Sequence, residues 1–489
     1  MTLTDLLKER ASKQHTKVLV RDSAIELTYL QAAGAVSLLG SHLARSDDRP
    51  NVGLMLPTSA GFMVAFYGIL SAGKTAVPLN FLLAGPEIEY MIRDAELATL
   101  IATEHFREKV EGLPLNVVYI EELFRSNPEA VPPPVEANID DESTAVILYT
   151  SGTTAKPKGV RLSHAGLLAN AEGGAEMASV NEGAPILSVL PNFHAFALTT
   201  TVVLPVALGA TVTCLERFTP QAFANLVGEH KIEFVPGVSS MFRALLMLKR
   251  HPEAAGALKS LKVCVSGGEP LMASTAKAFE AFVGVPLLEG YGLTEAGPVV
   301  SVNPPGANRP STAGKPLNNL RVRIVDENDR PAPAGAEGEI QVAGPSVMQG
   351  YHNDPQATAA AITEDGYLRT GDLGILDEDG YLSISGRLSE LIISHGENIH
   401  PPHVEEAILE VPGVYQAAVV GLPDETRGEI VKAFVVLEED CAITAEEIKA
   451  ALRDKLAPYK IPRQIEFRDE LPVGPTGKVL KKKLKGGMG

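Results

Sequence analysis

Through roughly the first 300 residues, short apolar runs alternate with segments whose apolar residues recur at helical spacing. Runs at 52–56, 98–102, 145–149, 186–190, 211–215, 263–265 and 286–288 read as strands, and segments such as 221–230 and 238–249 as the helices between them. A chain that repeats strand, helix, strand is confined to layered α/β architecture with mostly parallel sheets.

The pattern changes near residue 315. Runs at 321–325, 338–342, 373–376 and 381–385 are split by turn signals such as Pro333-Ala334-Gly335 and Asp379-Gly380. They predict a small antiparallel, barrel-like β subdomain over about 315–386. A second boundary falls at 387–390. After it come a helix (403–409), strands (415–420 and 431–437), a helix (445–456) and a strand (464–467), a compact α+β unit of about a hundred residues. The 489 residues exceed one ordinary core. The expectation is an N-terminal domain over 1–388 that includes the β subdomain, a mobile C-terminal domain over 389–489, and a frayed tail from 484.

Sixty acidic residues face 43 basic ones, a formal charge of -17. A field of that sign repels phosphate backbones and argues against nucleic acid as a partner. It also repels free nucleotides at long range, so a nucleotide site has to be built locally from backbone N–H groups and a few placed cations. Cys214, Cys264 and Cys441 lie far apart in apolar runs, as buried thiols in a reducing cytoplasm would. Residues 1–10 read as an amphipathic helix rather than a secretory leader, and no run of 18 uncharged apolar residues predicts a membrane span.

Four loops carry chemistry. Tyr149-Thr150-Ser151-Gly152-Thr153-Thr154-Ala155-Lys156-Pro157-Lys158-Gly159 follows an apolar strand with hydroxyls, glycines and two lysines. Such a loop can wrap donors around phosphate oxygens, or be a plain surface turn; its spacing is not that of a Walker loop. Glu289-Gly290-Tyr291-Gly292-Leu293-Thr294-Glu295-Ala296-Gly297 offers close backbone approach, a flat ring for a base, a hydroxyl for phosphate and a carboxylate for Mg²⁺; alone it reads equally as a strand-end turn. Tyr367-Leu368-Arg369-Thr370-Gly371-Asp372, with Arg387 beyond it, suits ribose hydroxyls, although Asp372 alone reads as a turn residue. Lys478 stands on a loop framed by glycine and proline, ahead of Lys481, Lys482, Lys483 and Lys485, which together also fit a basic tail.

In this order, and with Leu190-Pro191-Asn192-Phe193-His194, Ser266-Gly267-Gly268-Glu269-Pro270 and Gly396-Glu397-Asn398-Ile399-His400-Pro401 between them, the segments resemble the adenylate-forming (AMP-binding) superfamily, in its acyl-CoA synthetase and fatty-acid ligase branch. The resemblance runs from about Thr28 to Leu480. It implies an ATP-dependent acid–thiol ligase. A carboxylate attacks the α-phosphate of ATP, pyrophosphate leaves, and a thiol, that of coenzyme A, then takes the acyl group from the adenylate. By the same resemblance Thr150, Ser151, Gly152, Thr153, Thr154 and Lys158 surround the outer phosphates. Gly268, Glu269, Tyr291 and Gly292 frame the adenine, and Thr294 contacts the α-phosphate. Glu295, with Thr154, binds Mg²⁺, and Asp372 and Arg387 hold the ribose. Lys478 bridges carboxylate and α-phosphate. Rotation of the small domain then withdraws it and brings the Gly396 loop to a thiol tunnel gated by His194. Ala155, Ser389 and His395 depart from residues usual in the family, at the phosphate loop, the hinge and the tunnel entrance.

The segment Phe193-His194-Ala195-Phe196 lacks the aspartate with which amino-acid-activating members pair a substrate ammonium. An unpaired ammonium in an apolar pocket is costly, which argues against α-amino acids. Phe193, Phe196, Leu198, Val238, Met241 and Val299 are core residues of which some should line an acyl pocket. The expected acid is a medium- to long-chain fatty acid. Aryl acids, an acyl carrier protein as acceptor, and release of the acyl-adenylate without CoA transfer are the alternatives.

Overall fold

A computed structural model of the chain describes residues 1–46, 48–125, 139–150, 156–394, 397–424, 426–438, 441–473 and 479–486. It divides into two compact units, Met1–Val322 with Val342–Arg369, and Arg323–Gln341 with Thr370–Gly489.

The first unit is built on two sheets. One runs Lys315–Pro316, Val299–Val302, Leu287–Gly292, Val263–Ser266, Phe234–Gly237, Ile186–Ser188, Val212–Cys214, Val18–Arg21, Glu26–Thr28. From Leu287–Gly292 across to Val18–Arg21 every pairing is parallel, and the antiparallel strands sit at the two edges. The other runs Gly350–Tyr351, Lys158–Ser163, Thr144–Thr150, Thr75–Pro78, Asn51–Met55, Thr99–Ala102, Asn116–Tyr119. It too is parallel, except where Lys158–Ser163 returns beside Thr144–Thr150 and Gly350–Tyr351 joins its edge. The layered, mostly parallel architecture expected from the alternation is the one observed, with strand ends shifted by at most two residues except at 286–288, where the strand runs on to Gly292.

A helix that is apolar all round belongs in a core. Ala60–Ser71 is such a helix: every residue from Ala60 to Leu70 is buried, and it touches strands of both sheets. Helix Tyr29–Ser46 crosses it closely because two glycines meet the crossing. A Cβ on Gly68 would run into Leu39, and one on Gly40 into Ser71. Two expected helices stop short at their C-terminal ends. The region 238–249 is helix Ser239–Leu245 followed by a tighter turn, Leu246–Arg250; 445–456 is helix Ala445–Leu452. His251 and Ala457 each precede a proline and are held extended.

In the second unit, strands Arg321–Val325, Glu337–Ala343, Leu368–Leu376 and Leu382–Arg387 form a four-stranded sheet in chain order, the small β subdomain of the sequence. Beyond it Val414–Asp424 and Gly428–Leu437 form a long hairpin, with Gln464–Phe467 parallel to the second strand. Helices Pro401–Leu409 and Ala445–Leu452 supply Val404, Ile408, Ile448 and Leu452 to the core with Val419, Val431 and Val435. The hairpin of Ile392–Ser394 with Glu397–Ile399 escapes sequence reading, being too short to show a period. No helix among the described residues is long and apolar enough to cross a membrane.

The N-terminal helix, Leu3–Lys13, begins with a capping box at Thr2 and Asp5, and Leu3 N donates to Nδ1 of His164 at 3.4 Å. His164 is 1% exposed. Burial pushes its imidazole down to about 4, against the opposing pull of Asp5 and Asp141. A folded-state value below the unfolded one makes the neutral ring part of the fold, so its contribution is present above about pH 6.5 and lost as pH falls toward 4. The amount is about 2–3 kcal/mol. Urea unfolding at pH 7 and at pH 4.5 should therefore show a smaller loss of stability in His164→Gln than in the wild type; equal losses exclude this role.

Candidate active site

Parallel strands place their carboxyl ends on one side of a sheet, where ligands of open α/β sheets bind. In the nine-stranded sheet Ile186–Ser188, Phe234–Gly237, Val263–Ser266 and Leu287–Gly292 are parallel neighbours. The loops that leave them carry His194, Val238, Gly267 to Glu269, and Thr294 to Gly297. Three of the recognised segments thereby converge.

Gly267 and Gly268 supply room rather than contacts. A Cβ on Gly267 would lie 3.4 Å from the Phe196 ring, so the bare backbone lets that ring rest against the strand end. Gly268 adopts a φ of +82°, a conformation that suits glycine. Glu269, expected at the adenine, accepts a hydrogen bond from Ser240 N at 2.6 Å and so fixes the neighbouring loop. His194 Nδ1 accepts from Phe196 N at 3.4 Å, orienting the turn that carries Phe196. Burial lowers the His194 pKa, so the ring is neutral and its other nitrogen carries the proton.

The Glu289–Gly297 segment ends in a tight turn. Tyr291 pairs with Ser301, and Gly292 is obligatory because any Cβ would overlap the Pro298 carbonyl. Thr294 opens the turn, Gly297 N donates to Thr294 O, and Gly297 closes it at φ +94°. Asn170, fully buried on helix His164–Met177, clamps the exit. Its Nδ2 donates to Val299 O at 2.8 Å and Ser346 Oγ at 3.1 Å, and its Oδ1 accepts from Val299 N at 2.9 Å. Ser346 Oγ donates in turn to Ala296 O at 2.7 Å. Neither Asn170 nor Ser346 announces itself in the sequence; an asparagine amid small helical residues carries no periodic signal.

Thr150 and Lys158 face each other as the last rung of their hairpin. The Lys158 ammonium lies 4.8 Å above the Tyr351 ring, and the Tyr351 hydroxyl donates to Glu295 Oε1 at 3.1 Å. The phosphate-loop lysine and the expected metal carboxylate thus share one neighbour. Tyr351 was also absent from the sequence reading, although Gly350-Tyr351-His352-Asn353-Asp354-Pro355 is a dense turn-forming run that marks its position.

In the second unit Asp372 and Arg387 pair across the antiparallel rung of their strands, with Arg387 Nε 2.9 Å from Asp372 Oδ1. Asp372 is 4% exposed. Its backbone is set by Thr370, whose Oγ1 accepts from Asp372 N and donates to Ile340 O, and Gly371 takes a φ of +68°. The two residues expected at the ribose are thereby fixed to each other. Ser151, Gly152, Thr153, Thr154, Ala155, His395, Gly396 and Lys478 lie outside the described residues.

Of the residues expected to line an acyl pocket, Phe196, Val238 and Met241 belong to one apolar cluster. Phe193 packs edge-on against Phe81, ring centroids 5.2 Å apart, Leu198 is fully buried, and Val299 is held by Asn170.

Glycine-lined loops gather at the carboxyl ends of parallel strands, where open α/β sheets bind ligands, and the Lys158 ammonium and the half-buried Glu295 carboxylate meet at Tyr351. Residues 7–352 match the AMP-binding enzyme family and residues 403–478 the AMP-binding enzyme C-terminal domain. The chain is 34% identical to a long-chain-fatty-acid–CoA ligase of Bacillus subtilis, over 99% of this chain and 94% of the relative. It is 36% identical to a feruloyl-CoA synthase of an Amycolatopsis species, over 94% of each. Among solved structures, ATP-bound MatB from Rhodopseudomonas palustris matches with a TM-score of 0.91 at 27% identity, covering 100% of this chain and 99% of that one. The chain belongs to the AMP-binding enzyme family, in its acyl-CoA synthetase branch. It is an AMP-forming acid–thiol ligase that uses ATP and CoA.

The Asn170 clamp generates a test. Asn170→Ala strands Val299 N and O without their partner, which costs about 2–4 kcal/mol. Chemical denaturation should register that loss, and the KM for ATP should rise with it because the Thr294–Glu295 turn loses its support. An unchanged KM in a destabilised variant would confine Asn170 to the fold.

Proposed function

We propose that the acid is a hydrophobic monocarboxylate, a medium- to long-chain fatty acid before others. The observation that carries this reading is the apolar cluster of Phe196, Val238 and Met241 beside the bare Gly267 backbone. None of these side chains has a charge to pair with a second anionic group on the acid, as the substrate of the similar sulfoacetate–CoA ligase would require. Aryl acids are the second reading, favoured by the feruloyl-CoA synthase relative and by the half-buried aromatic ring of Phe196 in the apolar cluster.

The acid's carboxylate attacks the α-phosphate and pyrophosphate departs. Charge grows on the phosphoryl oxygens, so fixed donors and cations there lower the barrier most. Thr150, Ser151, Gly152, Thr153, Thr154 and Lys158 hold the outer phosphates. Gly268, Glu269, Tyr291 and Gly292 frame the adenine, Asp372 and Arg387 the ribose, and Thr294 the α-phosphate. Lys478 neutralises the carboxylate–phosphate junction. A half-buried carboxylate such as Glu295 suits Mg²⁺, which takes few protein ligands and keeps phosphate oxygens and waters for the rest. Glu295 and Thr154 would hold the ion, which supplies charge neutralisation at the phosphates. For thiol transfer no side-chain nucleophile is needed, because the mixed anhydride is already activated. His194 gates the thiol's approach and the Gly396 segment lines it. The residues from 389 onward turn about Ser389, within the short turn Leu388–Glu390, to exchange Lys478 for that segment.

Pyrophosphate release across alkyl, aryl and dicarboxylic acids, with and without CoA, tests the substrate. Alkanoic acids of intermediate to long chain should give the highest kcat/KM. A preference for short dicarboxylates would overturn the reading. Lys478→Ala should lower acyl-adenylate formation by about 10²–10³-fold while sparing thioester formation from supplied acyl-adenylate; equal loss of both half-reactions would remove its assigned role.

A further inference from the structure

Tyr351 touches two groups of the site and has so far been given no part in it. Gly350–Tyr351 is a two-residue edge strand, with Tyr351 opposite Val160 and Gly350 opposite Arg161. Its backbone is fixed from the far side. Tyr351 N donates to Thr358 Oγ1 at 2.9 Å, and Thr358 Oγ1 donates to Asp354 O at 2.9 Å. Asp354 also caps helix Pro355–Ala361 through Ala357 N at 2.8 Å. Gly350 takes a φ of +131°, and a Cβ there would press on the Thr358 methyl at 2.7 Å, so this packing needs the glycine. The phenol ring leaves a braced strand end, not a loose loop.

The ring's two chemistries are used on two partners. Its hydroxyl donates to Glu295 Oε1 at 3.1 Å, while its face carries the Lys158 ammonium at 4.8 Å. The same segment holds the Glu295 backbone, where Met348 N donates to Glu295 O at 2.8 Å. A carboxylate and an ammonium this close to one side chain attract each other strongly in a half-buried site. Were they to pair directly, each would spend its charge on the other. A neutral phenol instead gives the carboxylate a hydrogen bond and the ammonium a quadrupole, and cancels neither charge.

We propose that Tyr351 is a positioning residue for nucleotide and metal binding: its hydroxyl aims Glu295 and its ring seats Lys158. The proposal rests on reading Glu295 as a metal ligand and Lys158 as a phosphate cation. It makes two separable demands. The hydroxyl serves the metal arm alone, and the ring serves the phosphate arm.

Tyr351→Phe removes the first function and keeps the second; Tyr351→Leu removes both. The measurements are calorimetric binding of ATP with and without Mg²⁺, the Mg²⁺ concentration for half-maximal adenylation, and melting curves, with Glu295→Gln and Lys158→Ala as references. Tyr351→Phe should raise half-saturating Mg²⁺ about 3–10-fold while leaving Mg²⁺-free ATP binding unchanged. Tyr351→Leu should show that shift and also weaken Mg²⁺-free ATP binding about 3–10-fold. A merely structural tyrosine would lower melting temperature or kcat without moving the Mg²⁺ dependence. If Glu295→Gln shifts the Mg²⁺ dependence and Tyr351→Phe does not, the proposal falls and the reading of Glu295 stands. If Glu295→Gln does not shift it, the metal reading fails and takes the proposal with it. Should Tyr351→Leu not fold, the near-isosteric Tyr351→Phe decides by itself, since an unchanged Mg²⁺ dependence overturns the proposal.

Discussion

Parallel pairing of Ile186–Ser188, Phe234–Gly237, Val263–Ser266 and Leu287–Gly292 is the constraint on which the first unit's site depends. Because each strand enters the sheet in the same sense, each must leave at the same edge, and the loops that follow meet there. Antiparallel order would send alternate loops to the opposite edge and scatter His194, Gly268 and Thr294. The first three are buried along their whole length and the fourth at Leu287 and Leu288, which fixes their register through packing. The loops are thereby released from structural duty and can carry glycines, hydroxyls and charges that no core would accept.

The site's electrostatics follow a similar economy. The chain carries a formal charge of -17, so nothing long-range draws in a nucleotide. What the structure provides is local. Lysine 158 sits on a ring, not on a carboxylate. Arginine 387 is aligned by a buried aspartate on the opposite rung. Backbone groups at Gly267 and Gly268 are bared by the lack of side chains. In each case a charged or backbone group is held in place before any ligand arrives, which lowers the cost of reorganising the site around a highly charged substrate.

Most of the fold was legible in the sequence, because a strand–helix alternation and a later run of short strands are periodic signals. The strands at 145–149 and 263–265 were displaced by at most a residue, since buried β-rich runs have few alternatives. Errors came where local chemistry outweighed period. The helix expected over 238–249 ends at Leu245 and tightens into the turn Leu246–Arg250, and the one expected over 445–456 ends at Leu452. The two-residue strand Gly350–Tyr351 and the hairpin of Ile392–Ser394 with Glu397–Ile399 were too short to show any period.

The sequence by itself determined the family and the chemical inventory. Threonines, lysines, glycines and acidic residues in a fixed order carry the likeness to the AMP-binding enzymes, because the order of segments along one chain is read without knowing how they pack. The tertiary structure alone decided which groups touch. Asn170 reaches Val299 across 129 positions, and Tyr351 reaches Glu295 across 56. Contacts of that separation leave no trace in local composition, because they are made by how strands and helices stack, and a supporting residue differs from a bystander only in what lies within about 3 Å of it in space.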